Sequence, residues 1–174
     1  MRQMISLFAV CAPVCMDTVW KEWYRFCMRQ EQEQAFLFSH VSCSTETLNP
    51  NGIRTRSRYL KKIEVCIDRK EEMSSIEFYL LPKDFHQAVF DFKVYMALSL
   101  GGGSSYCEIT VEDRFWDDFA YPIYFEELRK FLRITKAEVN LLPHEQVFNY
   151  NVNCILNTNG AREKYGVIEQ MYAE

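Results

Sequence analysis

The sequence predicts an α+β fold, a mostly antiparallel sheet of about six or seven strands with two or three helices packed on one face. Two observations lead to this fold class. Segments in which apolar and polar residues alternate follow one another with short turns between them, and other segments carry apolar residues at helical spacing. The chain has 174 residues, of which 48% are hydrophobic. That is enough for one core, so we expect residues 1–174 to form a single globular domain.

The first part of the chain predicts a strand, a helix and a second strand. Met4 to Val10 is almost entirely apolar, which is typical of a strand buried on both faces; a cleaved signal peptide is the competing interpretation. Asp17 is a good N-cap for a helix, and a strand is predicted from Ala35 to Cys43. The apolar stripe of the helix consists of Val19, Trp20, Trp23, Phe26 and Cys27.

A β-hairpin is the most specific local prediction. Apolar residues alternate from Ala88 to Leu100, and Gly101 to Ser104 can close a four-residue loop. Folding the chain back at this loop brings apolar residues together on one face, whereas the competing helix over the same residues has no such partner. The expected pairs are Val94 with Val111, Met96 with Ile109, and Leu98 with Cys107. In this register Glu108, Thr110 and Glu112 are expected to face water.

The remaining elements depend on shorter patterns. A period of two predicts strands over Ile63–Ile67 and Ile76–Leu80. A helix is predicted from Pro122 to Ile134, because proline suits a first helical turn. Alternation with asparagine predicts a strand from Phe148 to Leu156, and a short helix is expected from Ala161 to Met171.

The composition weakens several functional classes. The net charge of -4 argues against a nonspecific nucleic-acid binder, and no apolar run is long enough for a membrane-spanning helix. The seven cysteines are spread along the chain without a C-x-x-C pair, which favours reduced thiols and a cytoplasmic location. No zinc-protease, kinase, deaminase or phosphate-loop motif occurs, so we expect neither a metal nor a cofactor.

The segment from Cys107 to Glu127 combines seven carboxylates with six aromatic side chains, and Arg114 is its one basic residue. Aromatic side chains supply contact area, and carboxylates steer a basic protein partner. The alternatives are a solvated loop whose aromatic residues belong to the core, or a carboxylate metal site, although the calcium-loop glycine is missing. The predicted partner-binding residues are Glu112, Asp113, Trp116, Asp117, Asp118 and Tyr121.

A basic segment of opposite charge runs from Arg54 to Lys62. If this segment is extended, Arg54, Arg56 and Arg58 lie on one side and can contact phosphates or an acidic partner. Equally, they can protect the edge of a sheet from aggregation. The two oppositely charged segments also suit self-association, for instance as a homodimer.

Nucleophilic catalysis is the main alternative to binding. Cys15 precedes the predicted first helix, whose N-terminus can lower a thiol pKa, although Asp17 opposes this effect. His40, His86 and His144 have no metal-ligand spacing, but a Cys–His pair need only meet in space. Because no catalytic motif is present, the leading hypothesis is a non-enzymatic intracellular binding protein, such as a bacterial immunity protein or inhibitor that covers the active site of a toxin or basic enzyme. A small cysteine- or carboxylate-dependent hydrolase and a nucleic-acid-associated protein are the alternatives.

Overall fold

A computed structural model describes residues 2–45, 52–83, 92–101, 105–113 and 121–147, and the backbone of 167–171. The strands are β1 (Gln3–Pro13), β2 (His40–Thr45), β3 (Arg54–Thr55), β4 (Met73–Leu80), β5 (Val94–Ser99), β6 (Tyr106–Glu112), β7 (Leu132–Pro143) and β8 (Val167–Met171). The helices are α1 (Val19–Glu33), α2 (Arg56–Asp68) and α3 (Tyr121–Leu128). The eight strands form one sheet in the order β3-β2-β4-β5-β6-β1-β7-β8, and every neighbouring pair is antiparallel.

The three helices cover one face of this sheet, with α1 between α2 and α3. Tyr24 of α1 donates a hydrogen bond to Glu64 of α2 at 2.6 Å, and Arg29 of α1 pairs with Glu127 of α3 at 2.7 Å. The apolar sides of all three helices and of the central strands merge into one core, in which Trp23 is fully buried. The predicted α+β class, with an antiparallel sheet and helices on one face, is therefore confirmed.

The register of the predicted hairpin is confirmed, whereas residues 84–91 and 102–104, which include parts of the predicted strand and loop, lie outside the described residues. β5 and β6 pair with Val94 opposite Val111, Met96 opposite Ile109 and Leu98 opposite Cys107. β1 and β4 contain the strands predicted over Met4–Val10 and Ile76–Leu80. α1 begins at Val19 with Thr18 rather than Asp17 at its N-cap, and β2 overlaps only the last residues of the predicted Ala35–Cys43 strand.

Three predicted elements are wrong. Ile63–Ile67 belongs to helix α2, which buries Ile63 and Cys66 one turn apart, so the apparent period of two was a short stretch of an amphipathic helix. The helix predicted from Pro122 to Ile134 ends at Leu128, and β7 begins four residues later, at Leu132. Residues 167–171 form a strand rather than a helix. The strand predicted over Phe148–Leu156 lies outside the described residues.

The second face of the sheet is buried as well. Glu108, Thr110 and Glu112 were expected to face water, and this expectation is wrong, because they are 1%, 0% and 7% exposed. They share their face with a second, smaller apolar cluster that includes Met4 and Phe8. Alternation along β6 therefore separates two buried faces rather than an inside from an outside.

Candidate functional site

The structure divides the predicted acidic and aromatic contact residues between the interior and the surface. Glu112 forms an ion pair with Arg2 at the end of β6 and is buried. Asp113, the next residue, is exposed, and Tyr121 is half-buried at the start of α3. Trp116, Asp117 and Asp118 lie outside the described residues. Glu112 therefore supports the sheet, and Asp113 is the described carboxylate of this set that a partner can reach.

Helix α3 adds an exposed apolar side chain that the sequence analysis did not identify. Its inner side buries Tyr124 and Leu128, and the Tyr124 ring packs edge-on against Phe26 of α1 at 5.7 Å. On its outer side Ile123 is 60% exposed, and Glu126 follows one turn later, also exposed. The outer side of α3 thus presents a large aliphatic group next to a carboxylate.

The basic segment is not the extended stripe that was predicted. Arg54 is exposed on β3, but Arg56 begins α2 and Arg58 lies in its first turn. Arg56 donates through Nε and Nη2 to the two carboxylate oxygens of Glu31, at 2.9 and 2.8 Å. Glu31 also accepts a hydrogen bond from the backbone N–H of Phe38 at 2.8 Å. Arg56 thus joins α1, α2 and the segment before β2.

Cys15 differs from the other described cysteines. It is exposed, and a hydrogen bond from the Thr18 side chain, followed by one from the Asp17 backbone, lowers its pKa. By contrast, burial raises the pKa of Cys11 and Cys43 to about 12. Cys15 therefore has a larger thiolate fraction at neutral pH than Cys11, Cys27, Cys43 or Cys107.

We expect thiol reagents to distinguish these cysteines. A short pulse of a maleimide at neutral pH, read out by peptide mass spectrometry, should modify Cys15 much faster than Cys11, Cys43 or Cys107, because only Cys15 combines exposure with a lowered pKa. Cys15→Ser should remove the fast modification among these sites, whereas Cys11→Ser should leave it in place. Equal rates at Cys15 and Cys107 would contradict the structure.

Cys15 lines a groove of about 540 Å³ with Arg25, Arg29 and Lys130. Neither described histidine lines this groove: His40 contacts the Ser39 hydroxyl at 2.9 Å, and the backbone N–H of His144 binds the carbonyl of Arg2. His86 lies outside the described residues. Within the part of the chain that the structure describes, no Cys–His pair therefore forms at Cys15, and no three His, Cys, Asp or Glu side chains are grouped to hold a metal ion.

The second face of the sheet carries a row of three carboxylates. Of these, Glu108 was expected to face water, and no prediction was made for the exposure of Glu77 or Glu138. Glu77, Glu108 and Glu138 lie in register across β4, β6 and β7, separated by Ala97 on β5 and Phe8 on β1. Each carboxylate has a polar partner. The partners are the Tyr79 hydroxyl for Glu77, the Thr110 hydroxyl for Glu108 at 2.7 Å, and Lys136 for Glu138 at 2.9 Å.

Glu77 makes this row sensitive to pH. Burial raises its pKa, and the hydrogen bond from Tyr79 offsets part of that effect. The folded state therefore binds the Glu77 proton more tightly than the unfolded state does. The contribution of Glu77 to the free energy of unfolding is fully present at a pH below its pKa in the unfolded state. It is lost as the pH rises through its pKa in the folded state.

Glu77→Gln is therefore expected to raise Tm by a few degrees at neutral pH and to have little effect near pH 4, since glutamine still accepts from Tyr79. Thermal unfolding followed by circular dichroism between about pH 4 and 8 measures this difference. Glu72→Gln at an exposed position is the control and should show no such trend. A Glu77→Gln variant that is less stable at neutral pH would refute the assignment.

The described part of the chain thus offers two exposed candidates for function, the outer side of α3 with Asp113 and the groove beside Cys15. Among the same residues, none of the helices is long and apolar enough to cross a membrane. Comparisons with protein-family models, with curated proteins and with solved structures find no match to this chain.

Proposed function

We propose that the chain is a non-enzymatic protein-binding domain, of the kind that neutralises a toxin or a basic enzyme by covering its active site. The observation that carries this proposal is the outer side of α3, where Ile123 is 60% exposed beside the exposed Glu126. An aliphatic anchor next to carboxylates suits a basic protein surface, because the anchor supplies buried area and the carboxylates supply selectivity.

The anchor is held rigidly, which favours binding. Tyr124 and Leu128 fix α3 in the core, and the ion pair between Arg29 and Glu127 ties it to α1. A partner would therefore meet Ile123 in a preset position and would not have to order the helix first. The proposal also includes the carboxylates of Asp113, Asp117 and Asp118, of which Asp113 is exposed and the other two lie outside the described residues.

The proposed setting is the bacterial cytoplasm, with an immunity protein or an inhibitor as the specific role. The six described cysteines are free thiols, which fits a reducing compartment. Hydrolysis by a cysteine is less well supported, since the exposed Cys15 has no described histidine along its groove. Nucleic-acid binding through the basic segment is weakened because Arg56 is engaged by Glu31.

The test begins with a tagged pull-down from the native host and mass spectrometry of the co-purifying proteins. The affinity of the purified partner is then measured for Ile123→Ser combined with Glu126→Lys, and for charge reversal at Asp117 and Asp118. We expect each variant to weaken binding about tenfold or more, with unchanged circular dichroism. The matched control, Val65→Ser with Asp68→Lys, has the same spacing on the exposed side of α2 and should bind as the parent does. Unchanged affinity in both folded test variants would refute the proposal.

A further inference from the structure

A second exposed apolar feature lies at the loop that joins β1 to α1, here called the β1–α1 loop (residues 14–18). Val14 is 63% exposed and Met16 is 60% exposed, which places two large apolar side chains in the solvent within three residues. Both side chains lie outside the hydrophobic core. Exposed apolar groups that are grouped in this way are typical of contact surfaces.

The β1–α1 loop is fixed by backbone hydrogen bonds. The N–H of Val14 binds the carbonyl of Phe131 at 3.2 Å, and the carbonyl of Cys15 accepts from Val19 at 3.0 Å. These bonds fix the backbone at both ends of the loop, so a partner would not have to order the backbone first, which lowers the entropic cost of binding.

Concave surfaces flank the loop on both sides of Val14. One is the groove of about 540 Å³ that contains Cys15, and the other has about 570 Å³ and is lined by Arg129, Arg133 and apolar residues of β7. The second groove has no carboxylate in its lining, although the chain as a whole has a net charge of -4. Lys130, at the first groove, and Arg133 have no ion-pair partner among the described residues.

We propose that the β1–α1 loop and the groove of Arg129 and Arg133 bind an acidic peptide segment of a partner protein, with an apolar residue of that segment packed against Val14. Charge complementarity carries the choice of occupant, because no carboxylate lines the second groove and Arg133 has no ion-pair partner among the described residues, whereas Arg129 pairs with Glu126 of α3 at 3.4 Å. A lipid bilayer fits less well, since a flat surface would leave both grooves beside Val14 unfilled. This surface adjoins the outer side of α3, since Arg129 pairs with Glu126, but its apolar contact is Val14 rather than Ile123.

The proposal is tested by selecting displayed random peptides of about 12 residues against the full chain. We expect enrichment of peptides in which Asp or Glu flank an apolar residue. Binding of a synthetic selected peptide, measured by fluorescence anisotropy, should weaken about tenfold or more in Val14→Ser combined with Arg133→Glu, and should fall as salt rises. The matched control is Val65→Ser with Arg58→Glu, an exposed apolar and an exposed basic residue of α2, which should bind as the parent does.

Three results would overturn the proposal. The first is no enrichment, or enrichment of basic peptides. The second is equal binding to the loop variant and the parent, with both folded by circular dichroism. The third is evidence for a different occupant. The parent chain would either sediment with vesicles of about 30% phosphatidylserine or self-associate in ultracentrifugation, and Val14→Ser with Arg133→Glu would abolish that binding or association. Ile123→Ser should leave peptide binding unchanged, so this proposal and the one for α3 can fail separately.

Discussion

Trp23→Ala is expected to lower the free energy of unfolding by about 3–5 kcal/mol, the largest effect of any single change considered for this chain. Trp23 is fully buried at the centre of the helix-covered core, and its ring stacks on Phe26 with centroids 5.7 Å apart. Its Nε1–H also donates to the carbonyl of Ile76 at 3.2 Å. Alanine would leave a large cavity between α1 and β4 and would remove the donor to that carbonyl.

Urea unfolding followed by far-ultraviolet circular dichroism measures this loss. Trp23→Phe retains most of the volume and should cost clearly less than alanine, because only the hydrogen bond and part of the ring are lost. Lys21→Ala, at an exposed position of the same helix, should change the free energy of unfolding by less than about 0.5 kcal/mol. A loss below about 1 kcal/mol for Trp23→Ala would mean that the core is not centred on this residue.

Glu31→Ala is expected to cost about 3 kcal/mol, because one carboxylate holds three parts of the chain together. Its two oxygens accept both hydrogen bonds of Arg56, and one of them also accepts the N–H of Phe38. Since Glu31 is buried, its removal leaves the guanidinium group and a buried N–H without their partner.

The same unfolding measurement applies to Glu31→Ala, Arg56→Ala and the double variant, so that a mutant cycle isolates the pair. The coupling should persist at about 1 M NaCl, because a buried pair is screened less than an exposed one. Glu33→Ala is the matched control, since Glu33 is exposed and lies 3.9 Å from Arg29, and its cost should stay below about 0.5 kcal/mol. Equal costs for Glu31→Ala and Glu33→Ala would contradict the structure.

The register of the β5–β6 hairpin was predictable, because three apolar pairs and a glycine-rich loop all specify it, but the burial of its second face was not. Helix α2 was not, because Ile63, Val65 and Ile67 also fit a strand when only a few residues are considered. The helix is favoured because it buries Ile63 together with Cys66. This burial requires α1 and the sheet to be in place. The pattern over Ile63–Ile67 alone therefore does not decide between a strand and a helix.

The candidate site was less predictable than the fold. Glu112 was predicted as a surface contact because a polar residue on an alternating strand usually faces water, but the second face of this sheet is covered. Sequence alone does not distinguish a solvated carboxylate from one that is buried with a partner such as Arg2. Ile123 was missed because an aliphatic residue is usually expected in the core. The neighbouring sequence does not show that it lies on the outer side of α3.

The position of β1 inside the sheet, between β6 and β7, has a consequence for how the chain folds. Leu7 pairs with Ile109 on one side and with Val139 on the other. Both partners of Leu7 are therefore more than a hundred residues away in the sequence. Such long-range pairing slows folding, because the entropy of closing large loops is lost before the contacts form. During synthesis, the backbone edges of the apolar β1 therefore stay unpaired, and β1 can pair with wrong segments until β6 and β7 have emerged from the ribosome.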